Sequence, residues 1–209
     1  RYAFLEFVVS DQAARAVITA HHKDDVIETA YINVLRGTSR KGLSSLRSTE
    51  KIVRPLLRVD KQTILKYAHD QGLQWREDAS NSDEKYLRNK IRALLAGADP
   101  KYRETMYEIT QKTALINNEI DRIIKETWGA ELAAVNLPRK VFIGLPYVVA
   151  CEVMATWLRV HHGQFDKKSL HRLVIAARTG RPGTLHDIDK NLCAKLELKQ
   201  IRLERRSSV

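Results

Sequence analysis

The 209-residue chain lacks the features that mark several common classes of protein. Its two cysteines, Cys151 and Cys193, lie far apart in the sequence, which excludes a disulfide framework and a Cys-x-x-Cys metal or redox site. No apolar run approaches the ~20 residues that a membrane-spanning helix needs, and no signal peptide is recognisable at the start of the sequence. We therefore expect a cytoplasmic protein.

Charge, in contrast, is abundant and unevenly distributed. The formal net charge is +11, which favours a polyanionic partner such as a nucleic acid. Residues 1–98 contain 17 Lys and Arg against 12 Asp and Glu, residues 99–135 contain 5 against 7, and residues 136–209 contain 14 against 6. This distribution indicates two basic modules separated by a mildly acidic connector.

Strand and helix patterns alternate over the first 98 residues. The predicted helices are 1–9, 25–37 and 60–72, and the predicted strands are 17–20, 51–57 and 73–75. Asp60 is expected to cap its helix, and Gly37 and Gly72 are expected to follow helix ends. Such alternation predicts a parallel sheet in an α/β domain. Because the pattern begins within a helix, we expect the first elements of this domain to be missing.

One long helix is predicted after this domain. Side chains from Tyr102 to Thr127 recur at intervals of four and three, which predicts a helix that packs through a narrow stripe and ends near Gly129. Ile109 and Ile116 belong to this stripe, as does Ile123. Core packing explains the stripe better than a cofactor role does.

The remaining sequence predicts two helices and a small sheet. The helices are expected over 145–162 and 166–180, and alternating residues around 189–191 predict a β-hairpin or meander. The predicted organisation is therefore an α/β domain over 1–98, followed over 99–209 by a helical substrate-binding region with a C-terminal β-hairpin.

The stretch TAHHKDDVIETAYINVLRG, residues 19–37, places two histidines and three acids where a strand is followed by a helix. A metal site needs ligands that converge from several elements, but the adjacent His21 and His22 point to opposite sides, so only one of them faces a site. Helix capping is a second explanation, since Asp25 and Glu28 have capping-box spacing. A ligand site is the third, because ligands bind at the carboxyl ends of strands in open α/β sheets.

Five blocks of sequence favour the ligand site. They are T-A-H-H-K-D-D-V-I-E-T, R-G-T-S-R-K-G-L, R-P-L-L, W-R-E-D-A-S-N and R-N-K-I-R, in that order over roughly residues 17–95. Their order and spacing resemble the tRNA(Ile)-lysidine synthetases of the PP-loop ATP pyrophosphatase superfamily, as does L-P-R at 137–139. The resemblance implies the C-terminal part of a Rossmann-like PP-loop domain followed by a mainly helical domain.

The resemblance also implies a reaction. A ligase of this family uses ATP and Mg²⁺ to adenylate the wobble cytidine of tRNA(Ile) with a CAU anticodon. The amino group of free L-lysine then displaces AMP and forms lysidine. A homodimer is a further possibility that the sequence leaves open.

Catalytic positions are implied in the first two blocks. They are His22, Asp25, Glu28 and Arg36, with Gly37 beside the arginine as a substrate- or nucleotide-binding position. Asp25 is also the candidate Mg²⁺ ligand, or orders the lysine ammonium group. Simpler explanations are a helix cap for Asp25, a capping-box partner for Glu28, and contact with the helix C-terminus for Arg36.

Substrate- or nucleotide-binding positions are implied in the third and fourth blocks. They are Arg54, Glu77, Asp78 and Asn81. The carboxylates are suited to selecting a lysine side chain or to binding Mg²⁺, and an Asx turn is the simpler explanation. Arg54 is either a ligand group at a strand end or simply an exposed residue.

The tRNA-binding candidates combine the fifth block with a basic helix face near the C-terminus. Arg88 and Arg92 are four residues apart, so they share a helix face that is suited to phosphates. A solvated basic face is the simpler explanation for both sets. The candidates are Arg88, Asn89, Arg92, Lys168, Arg172 and Arg178.

One departure from the family pattern concerns the phosphate loop. The family carries S-G-G-x-D-S after its first strand, whereas this sequence has no Gly-Gly pair. Backbone N–H groups of such a loop hold phosphates, so its glycines have no simple substitute. We therefore expect these 209 residues alone to be inactive. The alternatives are a non-catalytic RNA-binding module or another PP-loop tRNA-modifying enzyme, although thiolation needs a cysteine arrangement that Cys151 and Cys193 do not provide.

Overall fold

The computed structural model describes residues 2–76 and 85–205. The chain divides into two compact units, Arg1–Asn118 and Glu119–Val209. The division falls inside a long helix, whereas the sequence boundary at 98/99 precedes that helix and stays a prediction.

Unit 1 is mainly helical around one pair of strands. The two strands among its described residues pair in parallel, with Val17 opposite Ile52 and Ile18 opposite Val53. Ile27 and Ile91 form its buried core together with Leu95. Its elements are α1 (Tyr2–Asp11), β1 (Val17–Ile18), α2 (Lys23–Leu35), α3 (Arg40–Leu43), β2 (Ile52–Val53), α4 (Lys61–Asp70), α5 (Leu87–Ala96) and the first part of α6 (Pro100–Ala133). The predicted mixed α/β class and the parallel pairing are confirmed.

The predicted strands are too long or, in one case, wrong. β1 and β2 are two residues each, and residues 73–75 form no strand. Leu73 is 55% exposed and Trp75 is 50% exposed, so neither side chain is covered by a neighbouring layer. A strand is stabilised by its hydrogen-bonded partner and by the packing of one face, and apolar composition alone supplies neither.

The predicted start of α4 and the predicted C-terminal ends of α2 and α4 are confirmed. The Asp60 carboxylate accepts a hydrogen bond from the Thr63 backbone N–H at 2.7 Å, which makes it the N-cap of α4. Gly37 and Gly72 both have φ of +63°, a left-handed conformation that stops a helix and favours glycine.

The buried face of α6 differs from the predicted stripe by one residue. Ile116 is 59% exposed, whereas the next residue, Asn117, is 2% exposed. The Asn117 amide donates to the Ser44 hydroxyl at 2.7 Å and to the Arg40 carbonyl at 3.0 Å. Polar tertiary partners therefore set the orientation of this part of the helix. The packing prediction is wrong for Ile109 and Ile123 as well, since both are about half exposed. Near the predicted end at Gly129 the helix kinks, at Trp128, and it continues to Ala133.

Unit 2 packs helices against a four-stranded antiparallel sheet. The strand order is β3-β6-β5-β4, so the predicted terminal meander is confirmed and gains β3 at its edge. Trp157 and Phe142 are fully buried in the core, and Cys151 and Cys193 are buried and not disulfide-bonded, in agreement with core packing. Its elements after α6 are β3 (Asn136–Pro138), α7 (Lys140–Ile143), α8 (Tyr147–Val160), α9 (Lys167–Thr179), β4 (Leu185–Asp187), β5 (Leu192–Leu196) and β6 (Gln200–Arg205).

No helix within the described residues is long and apolar enough to span a bilayer.

Candidate functional site

Two helix N-termini meet beyond the carboxyl ends of β1 and β2. The Asp24 carboxylate accepts a hydrogen bond from the Lys61 backbone N–H at 2.8 Å, and the Lys23 N–H donates to the Val59 carbonyl at 2.9 Å. These two bonds hold the first turn of α2 against the first turn of α4. In an open α/β sheet this edge is where ligands bind.

The first turn of α2 is capped differently from the prediction. His22 is the N-cap residue, and Asp25 occupies the third helical position. The Asp25 carboxylate accepts a hydrogen bond from the His22 backbone N–H at 2.9 Å. The interpretation of Asp25 as N-cap with Glu28 as its capping-box partner is therefore wrong, because the helix begins three residues earlier.

The His22 imidazole lies between two carboxylates. Its Nδ1 is 3.5 Å from Asp24 Oδ2, and its Nε2 is 3.5 Å from Asp25 Oδ2. Nδ1 is buried and makes no hydrogen bond within the described residues. His21 is instead 2.8 Å from the Thr19 hydroxyl through its own Nδ1. The two histidines thus differ in environment, as expected of neighbours that point to opposite sides.

Glu28 is almost completely buried and binds two arginines of α5. Its exposed fraction is 2%, and the Arg92 fork donates to both carboxylate oxygens, from Nε at 2.8 Å and from Nη2 at 3.2 Å. Arg88 Nε lies 3.2 Å from Glu28 Oε2. This pairing raises the pKa of the Arg92 guanidinium, chiefly through the hydrogen bonds to Glu28. The shared helix face of Arg88 and Arg92 is confirmed, and in this structure it is turned toward a carboxylate.

A cavity of about 450 Å³ opens between these elements. This volume falls within the range of small-molecule sites. Two cation–carboxylate pairs border it, Arg103 with Asp24 and Lys23 with Glu104. The charged and titratable lining residues are His22, Lys23, Asp24, Glu28, Asp60, Lys61, Arg92, Arg103 and Glu104.

Several of these lining residues were not predicted from the sequence. Asp24 adjoins a predicted residue, and its place in a run of acids was the available signal. Arg103 and Glu104 come from α6, about 80 positions along the chain, and no local pattern connects them with α2.

Other predicted residues lie elsewhere. Arg36 is exposed at the C-terminal end of α2 beside Gly37, about 20 Å from the first turn at 1.5 Å per residue. Arg54 is buried beside a second cavity, which does not include the α2 N-terminus. Asn89 lies on α5. Glu77, Asp78 and Asn81 are outside the described residues.

The basic residues of α9 separate into two groups. Lys168 and Arg172 are exposed. Arg178 instead donates to the Phe142 carbonyl at 2.9 Å and to the Leu145 carbonyl, so it supports the segment around α7.

A metal site built by the protein alone is not present in the described ranges. No group of three or more His, Cys, Asp or Glu side chains there is arranged to hold an ion. Mg²⁺ is commonly held by one or two carboxylates together with substrate phosphates, so a full protein cage is not required. Asp24 lines the cavity, whereas the neighbouring Asp25 carboxylate accepts the His22 N–H bond beside it. The Mg²⁺ assignment stays a prediction.

Comparison with known proteins defines the class of unit 1. Residues 1–98 match the family described as the PP-loop domain. Residues 1–98 are therefore similar to PP-loop domains, a kind of domain that implies binding of ATP.

The names of similar proteins are more specific than the description of the domain family. The chain is 37% identical over 122 residues to a protein of Exiguobacterium sibiricum named tRNA(Ile)-lysidine synthase. This match covers 57% of this chain and 30% of the relative. Proteins of the same name from Ralstonia nicotianae and Pseudomonas fluorescens are each 35% identical, over 142 and 156 residues. These two matches cover 65% and 70% of this chain and 30% and 34% of the relatives. The chain thus spans about a third of the length of the proteins it resembles.

Proposed function

We propose that this chain takes part in ATP-dependent formation of lysidine at the wobble cytidine of tRNA(Ile), with free L-lysine as the second substrate. The names of the relatives and the PP-loop match support this proposal. The structural observation that carries it is the cavity bordered by the N-termini of both α2 and α4, with arginines and carboxylates, among them the buried Glu28, in one lining. No other cavity described here combines these features.

The phosphates of ATP are the first ligand of the proposal. Helix N-termini attract anions through their backbone N–H groups and dipoles. Arg92 and Arg103 lie at the same cavity, where they are paired with Glu28 and Asp24, so phosphate oxygens would share these guanidinium groups with the two carboxylates. In the adenylation step, cytidine O2 attacks the α-phosphorus and pyrophosphate leaves, so cations and N–H groups at this cavity stabilise charge that builds on the phosphates.

The lysine ammonium group is the second ligand. Asp24, Asp25 and Glu28 place carboxylates in or beside the same first turns. In the second step the ε-amino nitrogen of lysine bonds to C2 of the cytidine, and AMP leaves with the original oxygen. A carboxylate of this turn orients the ammonium group and would accept the proton that the nitrogen must lose before its lone pair attacks C2.

Mg²⁺ belongs to the proposal as a partner of the nucleotide. Asp25 would supply one carboxylate ligand, and the phosphates would supply the others. When bound, the ion neutralises phosphate charge during adenylation.

Two alternatives remain distinguishable. The buried positions of Cys151 and Cys193 favour lysidine formation over thiolation, which needs accessible cysteines. A non-catalytic RNA-binding module is favoured by the basic segment 136–209 and by the missing Gly-Gly pair.

The proposal is tested by release of pyrophosphate that depends on both lysine and tRNA. We expect activity from this chain when a phosphate-loop segment of a relative precedes Arg1, and little from the 209 residues alone, since the S-G-G-x-D-S loop is absent from them. tRNA binding without pyrophosphate release in the chimera would favour the RNA-binding module. Equal rates with and without the added segment would show that the loop argument is wrong.

A further inference from the structure

A second cavity in unit 1, of about 250 Å³, has a lining that differs in charge from the first. It lies among α2, the segment after α3, the segment after β2, and α6. Its lining contains three arginines, Arg47, Arg54 and Arg58, and no Asp, Glu or His. The two cavities share no lining residue.

The arginines occupy two depths. Arg54 is 8% exposed, whereas Arg47 and Arg58 are exposed. Arg54 donates to the Arg47 carbonyl, and its backbone N–H donates to the Ser48 hydroxyl at 2.9 Å. The buried guanidinium is thus held in place by the segment that carries one of the outer arginines.

Neutral donors complete the lining. The hydroxyl groups of Ser44 and Ser48 and the side-chain amide of Gln111 border the same space, beside the Thr110 hydroxyl, which donates to the Tyr107 carbonyl. Hydroxyl and amide groups donate hydrogen bonds to oxyanions, and the planar fork of arginine matches the geometry of phosphate oxygens.

The sequence around these arginines is also positively charged. Residues 29–59 contain seven Lys and Arg and a single acid, Glu50. An anion that approaches this cavity therefore meets a positive segment and few competing carboxylates.

We propose that this cavity, with Arg54 at its base and Arg47 and Arg58 at its rim, binds a phosphate group at a site distinct from the cavity at the α2 N-terminus. The volume is below the ~300 Å³ at which small-molecule sites usually begin, which suits a phosphate or diphosphate rather than a whole nucleotide. The phosphate comes either from a free anion or from an RNA backbone. The proposal rests on this cavity and its charges and is independent of lysidine formation.

The test replaces the exposed rim, which leaves the buried arginine and the core intact. The double variant Arg47→Gln with Arg58→Gln is compared with Arg15→Gln with Lys66→Gln, which removes the same charge from exposed positions outside both cavities. Binding of inorganic phosphate, pyrophosphate and a tRNA transcript is measured by calorimetry without ATP or lysine. Melting temperatures of all variants check folding.

We expect the rim variant to lose about tenfold or more in affinity for at least one probe, because each charge-assisted hydrogen bond contributes appreciably. Loss for phosphate and pyrophosphate identifies a free anion as the ligand. Loss confined to tRNA, with a flatter salt dependence, identifies a backbone phosphate. Arg54→Lys, which keeps the charge but removes the fork, is expected to weaken the same probe.

Unchanged affinity for all three probes in the rim variant would overturn the proposal, as would a loss equal to that of the control pair. Because no step depends on ATP or lysine, these outcomes are separate from the fate of the proposed enzyme activity.

Discussion

Single residues at the start of α2 carry most of the proposed chemistry. His22, Asp24 and Asp25 lie within one turn, and each makes a contact that a helix cap alone does not require. Glu28 lies one turn further on and binds Arg92 through both oxygens. Burying a carboxylate costs free energy unless it is paired with good geometry. Here the Arg92 guanidinium binds both carboxylate oxygens of Glu28.

Asp25 is the residue at which capping and catalysis make different demands. Asn in place of Asp25 retains an oxygen that can accept the His22 N–H bond but removes the negative charge. In an active form of the protein we expect Asp25→Asn to melt near the wild-type temperature while turnover falls by ~10²-fold or more, because charge stabilisation at a reacting centre is lost. Melting curves and pyrophosphate release measure the two effects. Normal turnover would leave Asp25 with the capping role alone.

At the scale of secondary-structure elements, caps and buried cations define the ends of helices. Asp60 caps α4 through Thr63, and Arg139 caps α9 from a distant strand end. The first bond is local in sequence, and the second joins residues about 40 positions apart.

The cap of α4 makes stability depend on pH. The hydrogen bond from the Thr63 N–H holds the pKa of Asp60 below its ordinary 3.8. Since the pKa is lower in the folded state, the stabilisation is present above pH 3.8 and is lost as the pH falls through the folded value. We expect Asp60→Ala to cost ~1 kcal/mol at pH 7 and Asp60→Asn much less.

Urea unfolding at pH 7 and at pH 3 checks this expectation. Between those values, wild-type protein should lose stability relative to Asp60→Asn, whose side chain does not titrate. A constant difference between the two proteins would contradict a role for the Asp60 charge.

Arg139 is a buried cation at the C-terminus of α9. It is 8% exposed and donates to the carbonyls of Ala177 and Gly180, both at 2.8 Å. Cations are favourable at helix C-termini, where carbonyls lack helical partners. Arg139→Lys keeps the charge but loses the fork, so we expect unit 2 to lose ~2–4 kcal/mol of unfolding free energy.

The control for Arg139 is its exposed neighbour Lys140. Lys140→Gln should change the unfolding free energy by less than ~0.5 kcal/mol. If Arg139→Lys unfolds at the same urea concentration as the wild type, the carbonyl contacts contribute little.

At the scale of the whole molecule, the net charge is positive over residues 1–98 and 136–209 and negative over the stretch 99–135 between them. The structure narrows the tRNA-binding prediction for α9 to Lys168 and Arg172, because Arg178 is engaged with carbonyls. Exposed cations of this kind bind phosphates with release of counterions, which makes affinity depend on salt.

Replacing Lys168 and Arg172 with Gln should weaken tRNA binding and flatten the slope of log K against log salt by roughly one to two units. ATP and lysine affinities should stay unchanged, since their proposed site lies in unit 1. The control pair is Lys112→Gln with Lys125→Gln, both exposed on α6 in the acidic stretch. If the slope of log K against log salt equals that of the control pair, the α9 cations do not bind tRNA phosphates and serve solubility instead.

Local sequence was sufficient for three helix ends, at Asp60, Gly37 and Gly72, and for the position of the candidate site. Asp60, Gly37 and Gly72 act through bonds and backbone angles within about four residues, so their effect is visible in the sequence. The parallel pairing of β1 and β2 follows from the alternation of strands and helices. The His22 position at a strand end follows for the same reason.

Long-range contacts decided the rest. The exposed side of α6 depends on the hydrogen bond between Asn117 and Ser44. Strand β3 forms because β6 pairs with it. Glu28 is paired with Arg92, which lies 64 positions away in the sequence. A pattern of apolar spacing shows that a helix has a buried face, but neighbours distant in sequence determine which residues form it. Arg103 reaches the cavity for the same reason, since folding brings α6 against the first turn of α2.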